Sequence, residues 1–128
     1  MLGRYLPNMV VMPPRKPGTL LPLEADILTT ALSMRRAGQA TFHGFGLAHA
    51  MRQRRGARSL TAHGTLYKAL GRLEELGLLT SNWEDATAAE RRPRRRLYEL
   101  TGQGVHAADR ARADQAAGRV PRLAPGPA

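Results

Sequence analysis

The chain has 128 residues, 42% of them hydrophobic, which suits a single domain with a modest core. Its 20 Lys and Arg against 10 Asp and Glu give a net charge of +10, which favours an anionic partner such as nucleic acid over the alternative of a merely solvated basic surface. The lack of cysteine excludes disulfides, thiolate catalysis and cysteine-based zinc sites. No apolar run approaches the roughly 18 residues of a membrane span, and no signal-peptide core is present, so we predict a soluble cytoplasmic protein.

Residues 1–22 form a proline-rich N-terminal extension. Proline disrupts helix and strand interiors, so we predict an irregular or extended backbone there. Apolar residues such as Tyr5 and Val10 are nevertheless unusual for a disordered arm. Three interpretations remain open: the extension packs on the domain, it packs on a second subunit, or the true start of the chain is Met9 or Met12.

Three helices are predicted after the extension. The first covers about residues 23–36 and stops before Gly38. The second covers about residues 44–55, and the third follows Thr61, whose hydroxyl can cap its free amides. Two helices joined by so short a link are typical of a helix-turn-helix.

The third helix has two distinct edges. Leu66, Leu70 and Leu73 form an apolar stripe at helical spacing, which predicts a face buried in a core. A polar, cationic stripe rotated by roughly 140° consists of Thr61, Thr65, Lys68 and Arg72. One helix therefore carries both a packing surface and a surface for an anionic partner.

Beyond Gly77 the pattern changes to two short strands joined by a basic loop over residues 85–93. A last helix is predicted over residues 102–117, and residues 118–128 are predicted to be a disordered tail because they are rich in proline and glycine.

Four motifs carry a resemblance to a known family. In chain order they are His43-Gly44-Phe45-Gly46-Leu47, Gly64-Thr65-Leu66-Tyr67, Arg72-Leu73-Glu74-Glu75-Leu76-Gly77-Leu78-Leu79 and Leu97-Tyr98-Glu99-Leu100-Thr101. They resemble the core of PadR-type transcriptional regulators, over residues 23–108. One such motif would be weak, but four in the right order are specific.

The resemblance implies a mainly α-helical winged helix-turn-helix over residues 23–101, with a three-helix core and a two-stranded β-hairpin wing, followed by a C-terminal helix that could serve dimerisation. The implied function is repression of transcription by a homodimer that binds a pseudo-palindromic operator in double-stranded DNA. No cofactor is implied, whereas a small-molecule effector of unknown identity is permitted. The last helix departs from the family in being short and rich in alanine.

Residues near the start of the third helix and in the wing are the expected DNA contacts. A helix in the major groove brings its N-terminal residues to base edges, while cations on a hairpin tip reach phosphates or the minor groove. The expected set is Thr61, His63, Gly64, Thr65, Tyr67, Lys68, Arg72, Arg91, Arg92, Arg94, Arg95 and Arg96. Tyr67 can either meet a phosphate or complete the core. Further phosphate contacts are expected around the turn, from Arg52, Arg54, Arg55 and Arg58.

Other functions have less support. Trp83 at the base of the hairpin either belongs to the core or lines an effector pocket. The histidines form no His-Glu-x-x-His pattern and no serine lies in a nucleophile elbow, so we predict neither an enzyme nor a metal site. The main alternative is a winged-helix interaction module whose arginines bind an acidic protein.

Overall fold

The structure is a computed structural model that describes residues 19–55, 63–85, 87 and 92–122. Within these residues there are four helices: α1 (Pro22–Arg36), α2 (Gly44–Arg55), α3 (His63–Glu75) and α4 (Gly102–Ala116). Three strands in the same residues form one antiparallel sheet in the order β1–β3–β2: β1 (Thr41–His43), β2 (Leu79–Trp83) and β3 (Arg96–Leu100). This arrangement is the predicted winged helix-turn-helix with a C-terminal helix.

The predicted apolar stripe of α3 is confirmed. Leu66, Leu70 and Leu73 are all at most 1% exposed, and they pack with residues of α1 in the core. The helix ends at Glu75, and Gly77 in the turn that follows has a φ of +78°, a left-handed conformation that glycine adopts without strain. Thr61, the expected cap of α3, lies outside the described residues.

The third strand, β1, was not predicted. It has only three residues, and its central Phe42 pairs with Tyr98 of β3. The two rings stack with their centroids 5.9 Å apart. A strand this short has no alternating pattern to detect, so its existence depends on the pairing with β3. Its position matters because it joins the start of α2 to the wing.

Helix α4 packs on α1 through a surface of small residues. Ala107, Ala108 and Ala111 are fully buried. At Gly104 an added Cβ would collide with the backbone carbonyl of Leu78, so only glycine allows this close approach. Alanine therefore serves here to bring two helices of the same chain together.

The two ends of the described chain lie side by side, which differs from the predicted boundaries. Thr19 forms a β-bridge with Arg122, and the Leu20 amide donates to the Pro121 carbonyl at 3.1 Å. Leu20 is 1% exposed although its position falls in the predicted extension. Residues 118–122 of the predicted disordered tail are thus tied to the domain because burial of Leu20 holds the adjoining backbone against them. No helix among the described residues is long and apolar enough to cross a membrane.

Candidate nucleic-acid interface

The exposed side of α3 begins at its N-terminal half. Gly64, Thr65, Tyr67 and Lys68 are all exposed, while the leucine stripe holds the opposite side in the core. A Cβ added at Gly64 would meet no atom of the described residues within 4 Å, so packing against them does not explain this glycine. The first two turns of α3 therefore present their polar residues and bare backbone to an external partner.

One flank of α3 faces the sheet. Glu74 on this flank accepts a hydrogen bond from the Ser81 hydroxyl of β2 at 2.6 Å. Tyr67, about two helical turns earlier, is 42% exposed. Its ring lies against Gly44 at the start of α2, so a Cβ added to Gly44 would collide with the Tyr67 ring. Tyr67 consequently does not complete the core, and it connects α3 with the N-terminus of α2.

The opposite flank of α3 faces the start of α1, and Arg72 differs here from expectation. Its Nε lies 3.3 Å from the Glu24 carboxylate, which is 1% exposed. Glu24 also accepts the Leu21 amide hydrogen bond at 2.9 Å, which fixes the first turn of α1. Because a buried carboxylate requires a cation, Arg72 has a structural partner, and it points away from the wing.

Glu84 clamps the base of the wing. It accepts hydrogen bonds from both terminal nitrogens of Arg92, at 2.7 and 3.0 Å, and one from the Arg95 amide at 3.3 Å. The Glu84 amide in turn donates to the Arg95 carbonyl at 2.8 Å. These contacts, led by the Arg92 hydrogen bond, lower the pKa of Glu84 to about 2. The Glu84 carboxylate therefore stays ionised at neutral pH, and its contact with Arg92 fixes the loop.

His43 lies between two hydrogen-bond donors. Its Nδ1 accepts the Gly46 amide hydrogen bond at 3.0 Å in the first turn of α2, and its Nε2 lies 3.0 Å from Nη1 of Arg95. Burial, followed by the charges of Arg95 and Arg92, lowers the pKa of His43. A neutral imidazole has only one acceptor nitrogen, so the two donors cannot both be satisfied. The Arg95 contact with His43 is thus one that an incoming anion can replace.

Trp83 at the end of β2 is 57% exposed, so the interpretation that it belongs to the core is wrong. The guanidinium of Arg96 stands 5.2 Å from its ring centroid, within cation–π range. Arg94 is exposed, and it forms no ion pair with an acidic side chain in the described part of the chain. Of the four wing arginines that the structure describes, Arg94 has the charge most available to a ligand.

These elements enclose a concavity of about 450 Å³, here named the wing cleft. It joins the β1–α2 corner, α3 and both strands of the wing. Its lining residues are His43, Phe45, Tyr67, Trp83, Pro93, Arg94, Arg95, Arg96 and Tyr98. Aromatic and arginine side chains together suit a ligand with phosphates and planar rings.

The profile of the transcriptional regulator PadR-like family matches residues 34–110, which is more than half of the chain. The chain belongs to this family. Members of the PadR-like family are transcriptional regulators that bind DNA, not enzymes. No curated protein sequence matches the chain significantly.

Solved structures share the fold of this PadR-like chain. A transcriptional regulator from Clostridium thermocellum is 22% identical, with a TM-score of 0.58 over 75% of this chain and 88% of that one. A PadR family regulator from Clostridium difficile is 24% identical, with a TM-score of 0.56 over 72% and 86%. The circadian clock associated protein Pex from Anabaena is 23% identical, with a TM-score of 0.53 over 80% and 85%.

Not all expected contact residues of the PadR-like chain meet at the wing cleft, because Thr65, Lys68 and Arg72 line a separate concavity beside the start of α1. Thr61, Arg58 and Arg91 lie outside the described residues, as do the side chains of His63 and Arg55. Arg54 donates to the hydroxyls of Thr29 and Thr30, at 3.3 and 2.9 Å, so it ties α2 to α1. The group that meets at the wing cleft consists of Tyr67, Arg94, Arg95 and Arg96.

Four residues of the wing cleft were not among the expected contacts: His43, Phe45, Pro93 and Tyr98. His43 and Phe45 belong to the His-Gly-Phe-Gly-Leu motif that supported the family resemblance, but no contact with a ligand was expected from this motif. The signal was present, because Phe45 is an aromatic residue between two glycines at a helix start. Only the pairing of β1 with β3 brings it beside the wing.

Proposed function

We propose that this PadR-like chain is a sequence-specific regulator that binds double-stranded DNA as a homodimer and represses transcription from a pseudo-palindromic operator. One observation carries the proposal: Tyr67, from the exposed N-terminal half of α3, lines the same cleft as Arg94, Arg95 and Arg96 of the wing. A recognition helix needs cations beside it to hold phosphates while its own residues reach base edges. We further propose that the protein works in the cytoplasm, where bacterial-type regulators meet DNA.

The two sets of residues have different roles in this proposal. Thr65 and Lys68 stand on the exposed side of α3. We assign them to the set that reaches base edges in the major groove, together with Thr61, His63 and Gly64. Arg94 contacts a phosphate, and Arg95 exchanges His43 for a second phosphate. Arg72 is not included among the base contacts because Glu24 holds it.

The homodimer is proposed from the family and from the symmetry of operators that helix-turn-helix proteins recognise. In this chain α4 buries its alanines against α1, and the outward side of α4 carries the ion pairs of Asp109 with Arg36 and Arg112, at 3.5 and 3.0 Å. A second copy would therefore meet a polar surface on α4. Since this polar surface does not favour a large apolar dimer interface on α4, we expect a small-molecule effector of unknown identity to act through another surface.

Selection of bound duplexes from a random pool tests the proposal. We expect enrichment of a site with two related half-sites about one helical turn apart. Lys68→Ala should then reduce the preference for the selected site, whereas Arg94→Ala should weaken binding to selected and random duplexes alike and flatten the salt dependence by about one unit. Recovery of no preferred sequence at moderate salt would contradict the proposal.

The alternative is an interaction module for an acidic protein. It is favoured by the exposed aromatic rings of Phe45 and Trp83 beside arginine, a composition also found at the centre of protein interfaces. The same selection distinguishes the two functions, because a protein-binding module would retain duplexes only through nonspecific, salt-sensitive contacts.

A further inference from the structure

The exposed aromatic residues are concentrated at one place. In the described part of the chain the exposed large hydrophobic residues are Leu21, Phe45, Tyr67, Trp83 and Val120. All three aromatic members of this set line the wing cleft, where Phe45 is 63% and Trp83 57% exposed. Leu21 and Val120 line no part of it.

The core does not use the exposed rings of Phe45 and Trp83. The aromatic pair of the core is Phe42 and Tyr98, which stack on each other and are at most 5% exposed. The aromatics of the wing cleft leave much of their ring surface in water, and the hydrophobic effect opposes that arrangement. Exposed apolar groups that cluster within one concavity generally mark a binding surface.

The charge of the cleft narrows the choice of ligand. Arg94, Arg95 and Arg96 line the same concavity, and Arg96 holds the Trp83 ring by a cation–π contact. Flat aromatic surfaces beside guanidinium groups match a ligand that combines planar rings with negative charge. A concavity of about 450 Å³ is within the size range of sites that hold compact organic ligands.

Double-stranded DNA does not offer such rings to this cleft. In B-form DNA the faces of the bases are covered by neighbouring base pairs, and a protein in either groove reaches base edges. A base becomes available for stacking on an aromatic side chain when the nucleotide is unpaired. The composition of the cleft therefore fits an unstacked nucleotide better than it fits a duplex alone.

We propose that the wing cleft binds unpaired nucleobases, so that this protein also binds single-stranded DNA. Phe45 and Trp83 supply the stacking surfaces, and Arg94 and Arg95 hold the flanking phosphates. This activity uses wing arginines that also serve the proposed duplex recognition, but it does not require Thr65 or Lys68 to read a sequence.

The chain contains a single tryptophan, so its intrinsic emission reports on Trp83 directly. The full chain is titrated with an oligothymidylate of roughly ten nucleotides, a length within the range covered by single-strand binding folds. The matched control is a strand of the same length that carries abasic sites throughout and therefore has the same phosphates without bases. We expect the oligothymidylate to change Trp83 emission and to bind more tightly than the abasic strand.

Three variants complete the experiment, with binding measured by anisotropy of labelled strands. Phe45→Ala should weaken binding to oligothymidylate by about 5- to 150-fold, the range for loss of one stacked aromatic. Phe45→Leu should lose most of that affinity too, because leucine keeps apolar area without a flat ring. Val120→Ala, at a site 62% exposed and outside the cleft, should bind like the parent.

Equal affinity for oligothymidylate and the abasic strand would overturn the proposal, because phosphate contacts alone would then explain binding. Unchanged Trp83 emission at saturation would also overturn it, as would equal affinities of the Phe45→Ala and Val120→Ala proteins. Duplex selection with the same protein preparation is a separate measurement. The proposed regulator function can therefore survive when single-strand binding fails, and the reverse also holds.

Discussion

Removal of the Arg72 charge should affect stability more than DNA recognition. Arg72→Met keeps much of the aliphatic stem but takes the guanidinium away from Glu24, which stays 1% exposed. Removing one partner of a fully buried ion pair costs about 3–5 kcal/mol. The Arg72 side chain is 36% exposed, so we expect a lower value of about 1–3 kcal/mol, the cost of leaving one buried polar group without its partner.

The assay compares Arg72→Met with Lys68→Met, an exposed cation one helical turn earlier on α3. Urea unfolding followed by circular dichroism should give the loss of about 1–3 kcal/mol for Arg72→Met, equivalent to a fall in Tm of roughly 4–12 °C. Lys68→Met should change the free energy of unfolding by less than about 0.5 kcal/mol. In anisotropy titrations, Lys68→Met should reduce the preference for selected over random duplexes more than Arg72→Met does.

A double-mutant cycle with Glu24→Gln separates the ion pair from the loss of packing. If the two positions interact, the double variant should be destabilised by less than the sum of the single variants. An Arg72→Met protein that is as stable as the parent but no longer distinguishes the selected operator would refute the structural role. It would restore Arg72 to the residues that contact bases.

Three other changes test the site. Glu84→Gln should speed tryptic cleavage in the wing, because the ionised carboxylate that holds Arg92 and Arg95 is lost. His43→Asn should flatten the decline in stability as pH falls below about 6.5. Gly44→Ala should destabilise the fold by about 1–3 kcal/mol in urea unfolding, since the new methyl group displaces Tyr67.

Each change has its own control. Cleavage of Glu84→Gln is compared with Glu75→Gln on exposed α3, and equal rates would contradict the clamp. The clamp itself should persist down to pH values near 2, because the pKa of Glu84 is lowered to about 2 and the carboxylate protonates only there. Gly44→Ala is matched by Gly64→Ala, whose new methyl group meets none of the described residues and should stabilise α3 by about 0.5–1 kcal/mol. Equal effects of the two alanines would refute the role of Gly44.

The sign of the His43 effect follows from its lowered pKa. The folded protein binds the proton less readily than the unfolded chain, so this group contributes stability that is fully present above its unfolded pKa of about 6.5. The contribution is lost as pH falls through the lower folded pKa. Protonation would remove the acceptor of the Gly46 amide and place a charge beside Arg95. An unchanged pH profile in His43→Asn would contradict this account.

Local patterns predicted the helices well because helical periodicity depends on neighbouring residues. The predicted second helix, residues 44–55, coincides with α2, and the leucine stripe of α3 is buried as expected. The flanks of α3 were harder to assign, since they depend on what packs beside them. Arg72 and Lys68 share a stripe in sequence, yet the position of Arg72 is set by its ion pair with Glu24, which is distant along the chain.

Contacts between distant segments also explain the other differences. Tryptophan is a residue type that is often found in cores, but Trp83 at the end of β2 is exposed and lies beside Arg96 of the wing. The role of Phe45 depends on β1, whose three residues carry no detectable strand pattern. The wing arginines Arg92 and Arg95 have Glu84 and His43 as their partners, and no periodic pattern in the sequence connects these residues.

The clamp at Glu84 also has a consequence for the kinetics of binding. A loop that is tethered at its base loses little conformational entropy when it docks, so its arginines meet phosphate in an already suitable arrangement. The tether neutralises Arg92 and thereby weakens long-range attraction. We therefore expect the tethered wing to lower the association rate constant and to lengthen the residence time on DNA.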